Sequence, residues 1–234
     1  MIVTKQIKTL KTEIEQANYV TFLTGAGVST PSGIPDYRSK NGIYNDSIEK
    51  PETILSAETL YHRPELFYHF VLNNMYFPDA KPNIIHQKIA EICNNKGHLI
   101  TQNVDSLDLK AGNQQVTQFH GNLYQLYYTK CQQTVKYSTY AQSYLHHNCG
   151  GIIRPQIVLY GENINSQNLT TSIQAIQKAD LVIICGTSFV VYPFAQLLAY
   201  CQTNAKIWAI NKTAIPLAGI AAITGDALDV FKQI

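Results

Sequence analysis

The sequence predicts an α/β protein, a doubly wound, Rossmann-like parallel sheet with a smaller inserted domain. Short apolar runs rich in β-branched residues recur along the chain, as in Leu181–Cys185 and Lys206–Ile210. Stretches with apolar residues three and four positions apart lie between such runs, as in Pro82–Cys93 and Thr171–Lys178. Because buried strands that alternate with helices form a parallel sheet covered on both faces, the two patterns together predict this fold class.

The same patterns locate the other elements. An amphipathic helix is expected at the N-terminus, where Ile7, Leu10 and Ile14 share one face. The remaining expected helices are Pro193–Cys201 and Asp226–Gln233. The expected strands of the parallel sheet, in chain order, are Tyr19–Leu23, His98–Thr101, Gln156–Leu159, Leu181–Cys185, Lys206–Ile210 and Ile220–Ile223.

Two stretches interrupt the alternation. Residues 38–81 are rich in Tyr and Asn and show little strand character, and residues 121–154 contain many Tyr and His, two cysteines and a Gly-Gly. We therefore expect a small domain formed by residues 38–81 and 121–154. The larger, Rossmann-like domain would then comprise residues 1–37, 82–120 and 155–234. Ligands of such folds bind in the cleft at the carboxyl ends of the strands.

Composition argues against several partners and locations. The chain has 18 Lys and Arg against 16 Asp and Glu, without a basic run, so no nucleic-acid partner is expected. No segment reaches about 18 uninterrupted apolar residues, so no membrane partner is expected. Of the five cysteines, Cys93, Cys185 and Cys201 lie in apolar runs. Unpaired core thiols are typical of a reducing compartment, which predicts a cytoplasmic protein.

A glycine-rich turn follows the first expected strand, as Gly25-Ala26-Gly27-Val28-Ser29. Glycines at this position let the backbone approach a pyrophosphate, and a following helix N-terminus stabilises its charge. The third glycine of the dinucleotide fingerprint is replaced by Thr30. Taken alone, the turn fits either a nucleotide-binding loop or an ordinary tight turn.

Polar side chains follow two further expected strands. Gln102, Asn103 and Asp105 supply amide donors, amide acceptors and a carboxylate, a set that suits a carboxamide and ribose hydroxyls. A loop capped by Asn and Asp is the alternative interpretation. His120 follows the strand-like run QVTQF, and an imidazole that titrates near neutrality suits proton transfer. The other six histidines are expected to be structural, which is the commoner role of a lone histidine.

The string GAGVSTPSGIPDYRSKNGIY resembles the phosphate-binding loop and lid of the sirtuin family. Further family blocks follow in order, namely TQNVD (Thr101–Asp105), FHGN (Phe119–Asn122), RPQIVLYGE (Arg154–Glu162), GTSFVVYP (Gly186–Pro193) and AIN (Ala209–Asn211). The blocks span nearly the whole chain and look most like the bacterial branch. The resemblance implies an NAD-dependent protein deacetylase, which removes acetyl or other neutral acyl groups from lysine side chains. Nicotinamide and O-acyl-ADP-ribose would be its products.

The resemblance also implies a mechanism. The acyl oxygen of the substrate attacks C1′ of the nicotinamide ribose, and His120 then deprotonates a ribose hydroxyl that attacks the resulting alkylamidate. Asn103 is the second implied catalytic residue, because it holds the ribose and its water. Asp105 and the backbone of Val104 are assigned to the nicotinamide carboxamide. The protein mainly holds the cofactor and excludes water.

The implied binding residues fall into two groups. Those for NAD are Gly25, Ala26, Gly27, Ser29, Thr30, Asp36, Tyr37, Arg38, Tyr44, Gln102, Asn103, Val104, Asp105, His120, Gly186, Thr187, Ser188, Asn211, Lys212 and Ala227. Those for an acylated peptide are Val158, Leu159, Tyr160, Gly161, Glu162, Phe189, Val190, Val191 and Tyr192. The peptide is expected to add as an extended strand between the two edges. Plain core packing is the alternative for residues 189–192.

The chain departs from the family at its zinc motif. Most sirtuins carry two Cys-x-x-Cys pairs, but here the pairs read Cys131-Gln132-Gln133-Thr134 and His146-His147-Asn148-Cys149. Cys131, His146 and Cys149 offer three ligands and His147 a strained fourth, whereas a structural zinc site needs four. We therefore expect no bound zinc and a lobe held by tyrosine packing, with a residual zinc site as the alternative.

Two other departures from the family lie outside the zinc motif. Family members that remove acidic acyl groups carry Tyr-x-x-Arg, and the matching stretch here, Tyr68-His69-Phe70-Val71, ends in valine. An apolar pocket without that cation favours neutral acyl chains. Asp108 stands where the family usually has a histidine.

Two alternative functions use the same cofactor. Mono-ADP-ribosyl transfer would need the same NAD site, but Asn103 and His120 favour deacylation, because His120 serves chiefly the collapse of the intermediate. A non-catalytic NAD-binding module is suggested by the altered zinc motif. The intact QNVD, FHG and lid blocks argue against it.

Overall fold

The computed structural model describes residues 2–36, 49–146 and 148–234, with the backbone alone at residue 2. Its helices are α1 (Ile2–Gln16), α2 (Pro51–Ile54), α3 (Ala57–His62), α4 (Pro64–Asn74), α5 (Ile84–Lys96), α6 (Leu107–Lys110), α7 (Tyr137–Tyr140), α8 (Ser166–Lys178) and α9 (Ala227–Phe231). Its strands are β1 (Val20–Thr24), β2 (Gly97–Thr101), β3 (Val116–Gln118), β4 (Gly121–Tyr128), β5 (Thr134–Val135), β6 (Ile153–Ile157), β7 (Leu181–Cys185), β8 (Lys206–Asn211) and β9 (Ala221–Thr224). Short 3₁₀ helices lie at Ala26–Val28, Thr30–Ser32 and Phe194–Tyr200.

The main sheet has six strands in the order β3-β2-β1-β7-β8-β9. All neighbouring strands are parallel, and β1 pairs with β2 on one side and β7 on the other. The strand order therefore reverses between β1 and β7. In doubly wound sheets, ligands bind where the order reverses, at the carboxyl ends of the strands. The fold class expected from the alternating pattern is confirmed.

Apolar cores cover both faces of this sheet, because successive side chains of a strand point to opposite faces. Phe22 of β1 packs with Leu10 of α1, Ile89 of α5 and Phe231 of α9. Leu23, the next residue, belongs to the core on the other face, which includes residues of α8 and of the 3₁₀ helix after β7. Both faces of β1 are buried, which explains why its sequence is a continuous apolar run rather than an alternation.

The smaller part of the structure is a three-stranded sheet of order β5-β4-β6 packed against α2, α3 and α4. The expectation of a parallel-sheet strand at Gln156–Leu159 is wrong, because β6 pairs antiparallel with β4, with Tyr127 opposite Arg154. Pro155 lacks a backbone N–H, and such a residue is tolerated in an edge strand such as β6. We call residues 121–157, which contain β4, β5, α7 and β6, the small-sheet lobe.

Most other expected elements are present, with ends shifted by a few residues. Helix α8 begins five positions before the expected Thr171, because Asn165 caps it by accepting the N–H groups of Gln167 and Asn168. The expected helix at 193–201 is a 3₁₀ helix, Phe194–Tyr200. The division into two domains at the stated boundaries stays a prediction. Among the helices described, none has the length and apolar character needed to cross a membrane.

Candidate active site

A cleft of about 1120 Å³ lies at the carboxyl ends of the central strands. Gly25 follows β1, Gln102 follows β2, Gly186 follows β7 and Asn211 ends β8. Each of these four strands therefore ends in a glycine or a polar residue that lines the same cleft. The expected site residues among those lining the cleft are Gly25, Ala26, Gly27, Thr30, Asp36, Gln102, Asn103, Val104, His120, Val158, Leu159, Tyr160, Gly161, Glu162, Gly186, Thr187, Ser188, Val191, Tyr192, Asn211, Lys212 and Ala227.

The remaining expected residues lie elsewhere. Ser29 and Asp105 line a smaller cavity of about 20 Å³, which shares Asn103 and Val104 with the large cleft. Phe189 is buried in the core and packs on Phe194, whereas the neighbouring Val190 is exposed. The structure thus supports the core interpretation for Phe189. Tyr37, Arg38, Tyr44 and His147 lie outside the described residues.

The glycine turn after β1 has a packing reason. A Cβ atom at Gly27 would lie 2.8 Å from the Cα and carbonyl oxygen of Gly186, at the end of β7. One at Gly25 would lie 2.8 Å from the Cβ of Thr187. Glycines are therefore required for the ends of β1 and β7 to approach. Two short 3₁₀ helices follow the turn, and the Thr30 hydroxyl donates to the Gly27 carbonyl at 3.1 Å.

A buried polar network centres on the hydroxyl of Ser29. His86 Nδ1 accepts the backbone N–H of Asn83 at 3.3 Å, so the neutral ring carries its proton on Nε2. That Nε2–H donates to Ser29 Oγ at 3.3 Å, and Asn103 Nδ2 donates to the same oxygen at 3.1 Å. The Ser29 hydroxyl in turn donates to Asp105 Oδ2 at 2.6 Å. We call these four hydrogen bonds the Ser29 network.

The Ser29 network fixes both Asn103 and Asp105 at the cleft. Asp105 is held at its other oxygen too, because Oδ1 accepts the N–H of Leu107 at 2.8 Å and begins α6. Burial lowers the pKa of His86 to about 4, with Asp105 opposing this, so His86 is neutral at physiological pH. The sequence interpretation treated His86 as merely structural. The available signal was the capping sequence Asn83-Ile84-Ile85-His86, which places this ring at the start of α5.

His120 lies in the turn between β3 and β4 and lines the cleft. Its Nδ1 lies 3.4 Å from the carbonyl oxygen of Gln102, so Nδ1–H donates and Nε2 keeps the free lone pair. Burial lowers the pKa of His120, and the Gln102 carbonyl opposes that shift. The ring packs edge-on against Phe119 and near Phe194. A neutral, oriented imidazole of this kind can accept a proton from a ligand hydroxyl.

The ends of β7 and β8 form the opposite wall. Thr187 Oγ1 accepts from Gln102 Nε2 at 3.0 Å and from the N–H of Phe189 at 3.1 Å, which ties the β2 and β7 loops together. Asn211 Nδ2 donates to the carbonyl of Thr213 at 3.0 Å. Lys212 Nζ lies 3.5 Å from a carboxylate oxygen of Asp226, the residue that caps α9.

Apolar residues that the sequence interpretation missed line the same cleft, namely Leu55, Met75, Ile164 and Leu169. By contrast, Tyr68 and Val71 belong to the core between the three-stranded sheet and helices α2, α3 and α4. They are not among the described residues that line the cleft. The acyl-pocket interpretation of Tyr68–Val71 stays a prediction. The apolar character of the cleft comes from other elements that periodicity alone does not bring together.

The altered zinc motif forms two equivalent turns. Tyr128 N–H donates to the Gln133 carbonyl at 3.0 Å, and Gln132 N–H donates to the Tyr128 carbonyl at 2.9 Å. In the second turn, His146 N–H donates to the Gly151 carbonyl at 2.9 Å, and Gly150 N–H donates to the His146 carbonyl at 2.8 Å. Tyr128 therefore corresponds to His146, and by the same spacing Cys131 corresponds to Cys149.

This correspondence corrects the assignment of the missing ligand. The side-chain ligand atoms of Cys131, His146 and Cys149 lie within 4.8 Å of one another. The ring of Tyr128 stacks on His146, with centroids 3.8 Å apart and planes at 16°, so a phenol ring fills the fourth corner. Thr134 instead lies in β5 opposite Tyr127. The described residues do not fit a closed four-ligand zinc site, since three ligands remain.

Comparisons with known proteins all indicate one family. The profile described as Sir2 family matches residues 25–193. A protein of Listeria innocua named NAD-dependent protein deacetylase is 51% identical over 227 residues, covering 96% of this chain and 99% of that protein. A protein of Lactiplantibacillus plantarum with the same name is 46% identical over 230 residues, covering 97% and 98%.

Two solved structures resemble this chain in fold. A structure described as a Sir2–p53 peptide–NAD⁺ complex matches with a TM-score of 0.85 at 31% identity, covering 97% of this chain and 96% of that one. A structure of Sir2Tm bound to a propionylated peptide matches with a TM-score of 0.85 at 30% identity and the same coverage. Both structures contain a peptide, and one of them also contains NAD⁺. The sequence resemblance implies these two kinds of ligand.

Proposed function

Because the chain belongs to the Sir2 family, we infer that it is an NAD-dependent protein lysine deacetylase. It removes acetyl and other neutral acyl groups from lysine side chains and releases nicotinamide and O-acyl-ADP-ribose. The observation that carries this inference is the meeting of His120, Asn103 and the Gly25–Thr30 turn in one cleft where the strand order reverses. No protein nucleophile is needed, because the acyl oxygen of the substrate is itself the attacking group.

The cleft fits NAD in size and chemistry. Its volume of about 1120 Å³ is at the upper end of ordinary small-molecule sites, as an extended dinucleotide and an acyl-lysine together require. Bound NAD supplies an electrophilic ribose C1′ and a neutral leaving group. The glycine turn and Thr187–Ser188 would hold its phosphates, while Asn211, Lys212 and Ala227 lie where the adenosine end would be bound.

The Ser29 network would position the nicotinamide riboside end. Asn103 and Asp105 are immobilised by hydrogen bonds before any ligand arrives. A group whose orientation is fixed in advance costs no reorganisation on binding, which favours the reactive geometry. Asn103, Val104 and Asp105 line the small cavity next to the cleft, and their polar groups would bind the carboxamide group of nicotinamide.

His120 would act as the general base. Its burial keeps the ring neutral at physiological pH, and the Gln102 carbonyl directs the free lone pair to Nε2. Proton removal from a ribose hydroxyl would occur at this Nε2. The same ring packs on Phe119 and Phe194, which holds it in place without contributing charge.

Exposed side chains at and beside the cleft support a peptide-binding role for these edges. Tyr160 and Tyr192 are exposed at the cleft, and Val190 is exposed beside it. Exposed aromatic and β-branched side chains on opposite edges suit an extended peptide that binds through its main chain. Leu55, Met75 and Ile157 make the interior of the cleft apolar, so a neutral acyl chain is favoured over an acidic one.

The proposal also includes a cytoplasmic location and no nucleic-acid or membrane partner. Cys93 and Cys185 are buried free thiols, which suits a reducing cytoplasm. The net charge of +2 gives little attraction for nucleic acid or an anionic membrane.

The direct test of enzyme activity is nicotinamide release in the presence of peptides that differ only at one lysine. We expect release from NAD to accelerate with acetyl-lysine and with longer neutral acyl-lysine peptides. The unmodified peptide is the matched control. An equal rate with all peptides would reject the deacylase function.

A further inference from the structure

The two equivalent turns of the small-sheet lobe bring two cysteines together outside the cleft. Cys131 and Cys149 occupy the same position in their turns, and their sulfur atoms lie within 4.8 Å of each other. Cys131 is exposed and Cys149 half-buried. We propose that this thiol pair, Cys131 and Cys149, is a redox site that a hydroperoxide oxidises to a reversible intramolecular disulfide.

The fourth corner of the cluster explains why these thiols remain available. In a closed zinc site, the sulfur lone pairs bind the metal, so the sulfur atoms react less readily with an oxidant. Here the Tyr128 ring fills the corner that a fourth ligand would need, and it is held there by stacking on His146. The thiol pair therefore lies beside an aromatic wall rather than around a coordinated ion.

The remaining cysteines provide a contrast within the same chain. Cys93 and Cys185 are 1% and 0% exposed in the core of the main sheet, so an oxidant does not reach them. Cys201 is partly exposed but packs beside the core on the face that α8 covers. Oxidation to a disulfide needs both solvent access and a neighbouring thiol. Among the described cysteines, Cys131 and Cys149 alone combine the two.

The proposed reaction is balanced with a hydroperoxide as the oxidant. The thiolate of one cysteine attacks the peroxide oxygen, the O–O bond breaks, and a sulfenic acid and one water or alcohol result. The second thiolate attacks the sulfenic sulfur, the S–O bond breaks, and hydroxide leaves as water after protonation. In total, the two thiols lose two protons and two electrons. The peroxide accepts the protons and the electrons. A dithiol reductant reverses the step by exchange.

Closure requires only local movement. A disulfide needs the sulfur atoms about 2.05 Å apart, so the two turns must approach each other slightly. Gln132 and Gly150, next to the two cysteines, already have positive φ values of 60° and 63°, at the tips of short turns. The bond would join the β4–β5 hairpin to the segment before β6. A cross-link of this kind restricts the unfolded chain and stabilises the folded lobe.

The test uses the purified full chain, reduced and freed of metal by a chelator before gel filtration. Stoichiometric hydrogen peroxide is added, and the free thiols are counted by maleimide labelling of the unfolded chain and mass spectrometry. We expect two of the five thiols to be lost, a mass loss of two hydrogens, and a peptide that links Cys131 to Cys149. Dithiothreitol should restore both thiols, and the oxidised chain should melt at a higher temperature than the reduced chain.

Three variants separate this site from other oxidation. Cys131→Ser and Cys149→Ser should form no internal link and show no rise in melting temperature on oxidation. Cys201→Ser is the matched control and should form the link as the parent does. Unchanged thiols, sulfinic acids without a link, or links between chains would overturn the proposal. So would one metal ion per chain, bound as purified, that protects both thiols from labelling.

Discussion

The Ser29 hydroxyl lies 2.6 Å from Asp105 Oδ2 and at the same time accepts hydrogen bonds from Asn103 and His86. One side chain from the turn after β1 thus orients two polar residues from the loop after β2. The network ties the turn after β1, which we propose holds the phosphates of NAD, to the loop after β2, which we propose holds its nicotinamide end.

Removing that hydroxyl should impair catalysis more than folding. In Ser29→Ala, the amide of Asn103 and the carboxylate of Asp105 lose a shared partner, at a cost of about 1–3 kcal/mol. We expect kcat/KM for NAD to fall about 10- to 100-fold. Ser172→Ala, which removes a buried serine hydroxyl bonded within α8, is the control. Equal losses in the two variants would contradict a specific role for Ser29.

His120→Ala should abolish deacylation and leave NAD affinity within a few-fold. The residue is assigned a proton transfer rather than a binding contact, so the loss should appear in kcat. Isothermal titration with NAD and turnover with an acetyl-lysine peptide separate the two. His69→Ala, at an exposed histidine of α4, should behave as the parent does. Parent-like turnover in His120→Ala would remove this residue from the mechanism.

The pH profile gives an independent check on His120. Burial lowers its pKa, so the neutral base persists to lower pH than an exposed histidine allows. The acid limb of kcat/KM should therefore have its midpoint below the ordinary histidine pKa of about 6.5. A midpoint at or above that value would show that the base is not this desolvated imidazole.

Asp108 should make stability depend on pH. Burial and then the charge of Asp105 raise its pKa to about 8, and Oδ1 is buried with no hydrogen-bond partner among the described residues. An unfolded aspartate ionises near pH 3.9, whereas the folded one stays protonated up to about pH 8. Stability therefore falls as pH rises through this window, because only the unfolded chain releases the proton.

Asp108→Asn removes that ionisation and keeps the shape of the side chain. We expect its melting temperature to exceed that of the parent by more at pH 8 than at pH 5. Asp229→Asn, an exposed acidic residue of α9, should show no such trend. A pH-independent difference in Asp108→Asn would contradict a buried, protonated carboxyl.

Restoring the fourth corner should create a closed zinc site with four ligands. Tyr128→Cys places a thiolate opposite His146, so the variant should bind one zinc per chain. Its melting temperature should then fall on addition of EDTA. EDTA should change neither the melting temperature nor the activity of the parent, and Thr134→Cys should behave as the parent does. A chelator-sensitive Thr134→Cys would show that our alignment of the two turns is wrong.

The sequence predicted the parallel sheet because each central strand is buried on both faces and is therefore a continuous apolar run, as in β7. It also predicted most of the cleft, since glycine and polar residues follow strand ends directly. The strand β6 was misplaced, because Pro155 and an exposed Gln156 conceal an edge strand whose partner lies 25 or more residues earlier in the chain. Met75 and Leu55 were missed for a similar reason, as helices from another part of the chain bring them to the cleft.

The missing zinc ligand was misassigned because two alignments of one Cys-x-x-Cys motif are possible when a single cysteine remains. Reading forward from Cys131 gives Thr134, and reading backward gives Tyr128. The backbone hydrogen bonds of the turns decide between them, and no residue pattern contains that information. His86 was overlooked because its contact with Ser29 joins positions 57 residues apart.

The central claim is that the acyl group leaves the lysine and is transferred to ADP-ribose. Mass spectrometry of a reaction containing the purified chain, NAD and an acetyl-lysine peptide tests this directly. We predict equal amounts of nicotinamide, deacetylated peptide and O-acetyl-ADP-ribose. ADP-ribose attached to the peptide or to the protein, with the acetyl group still on lysine, would contradict it and indicate ADP-ribosyl transfer instead.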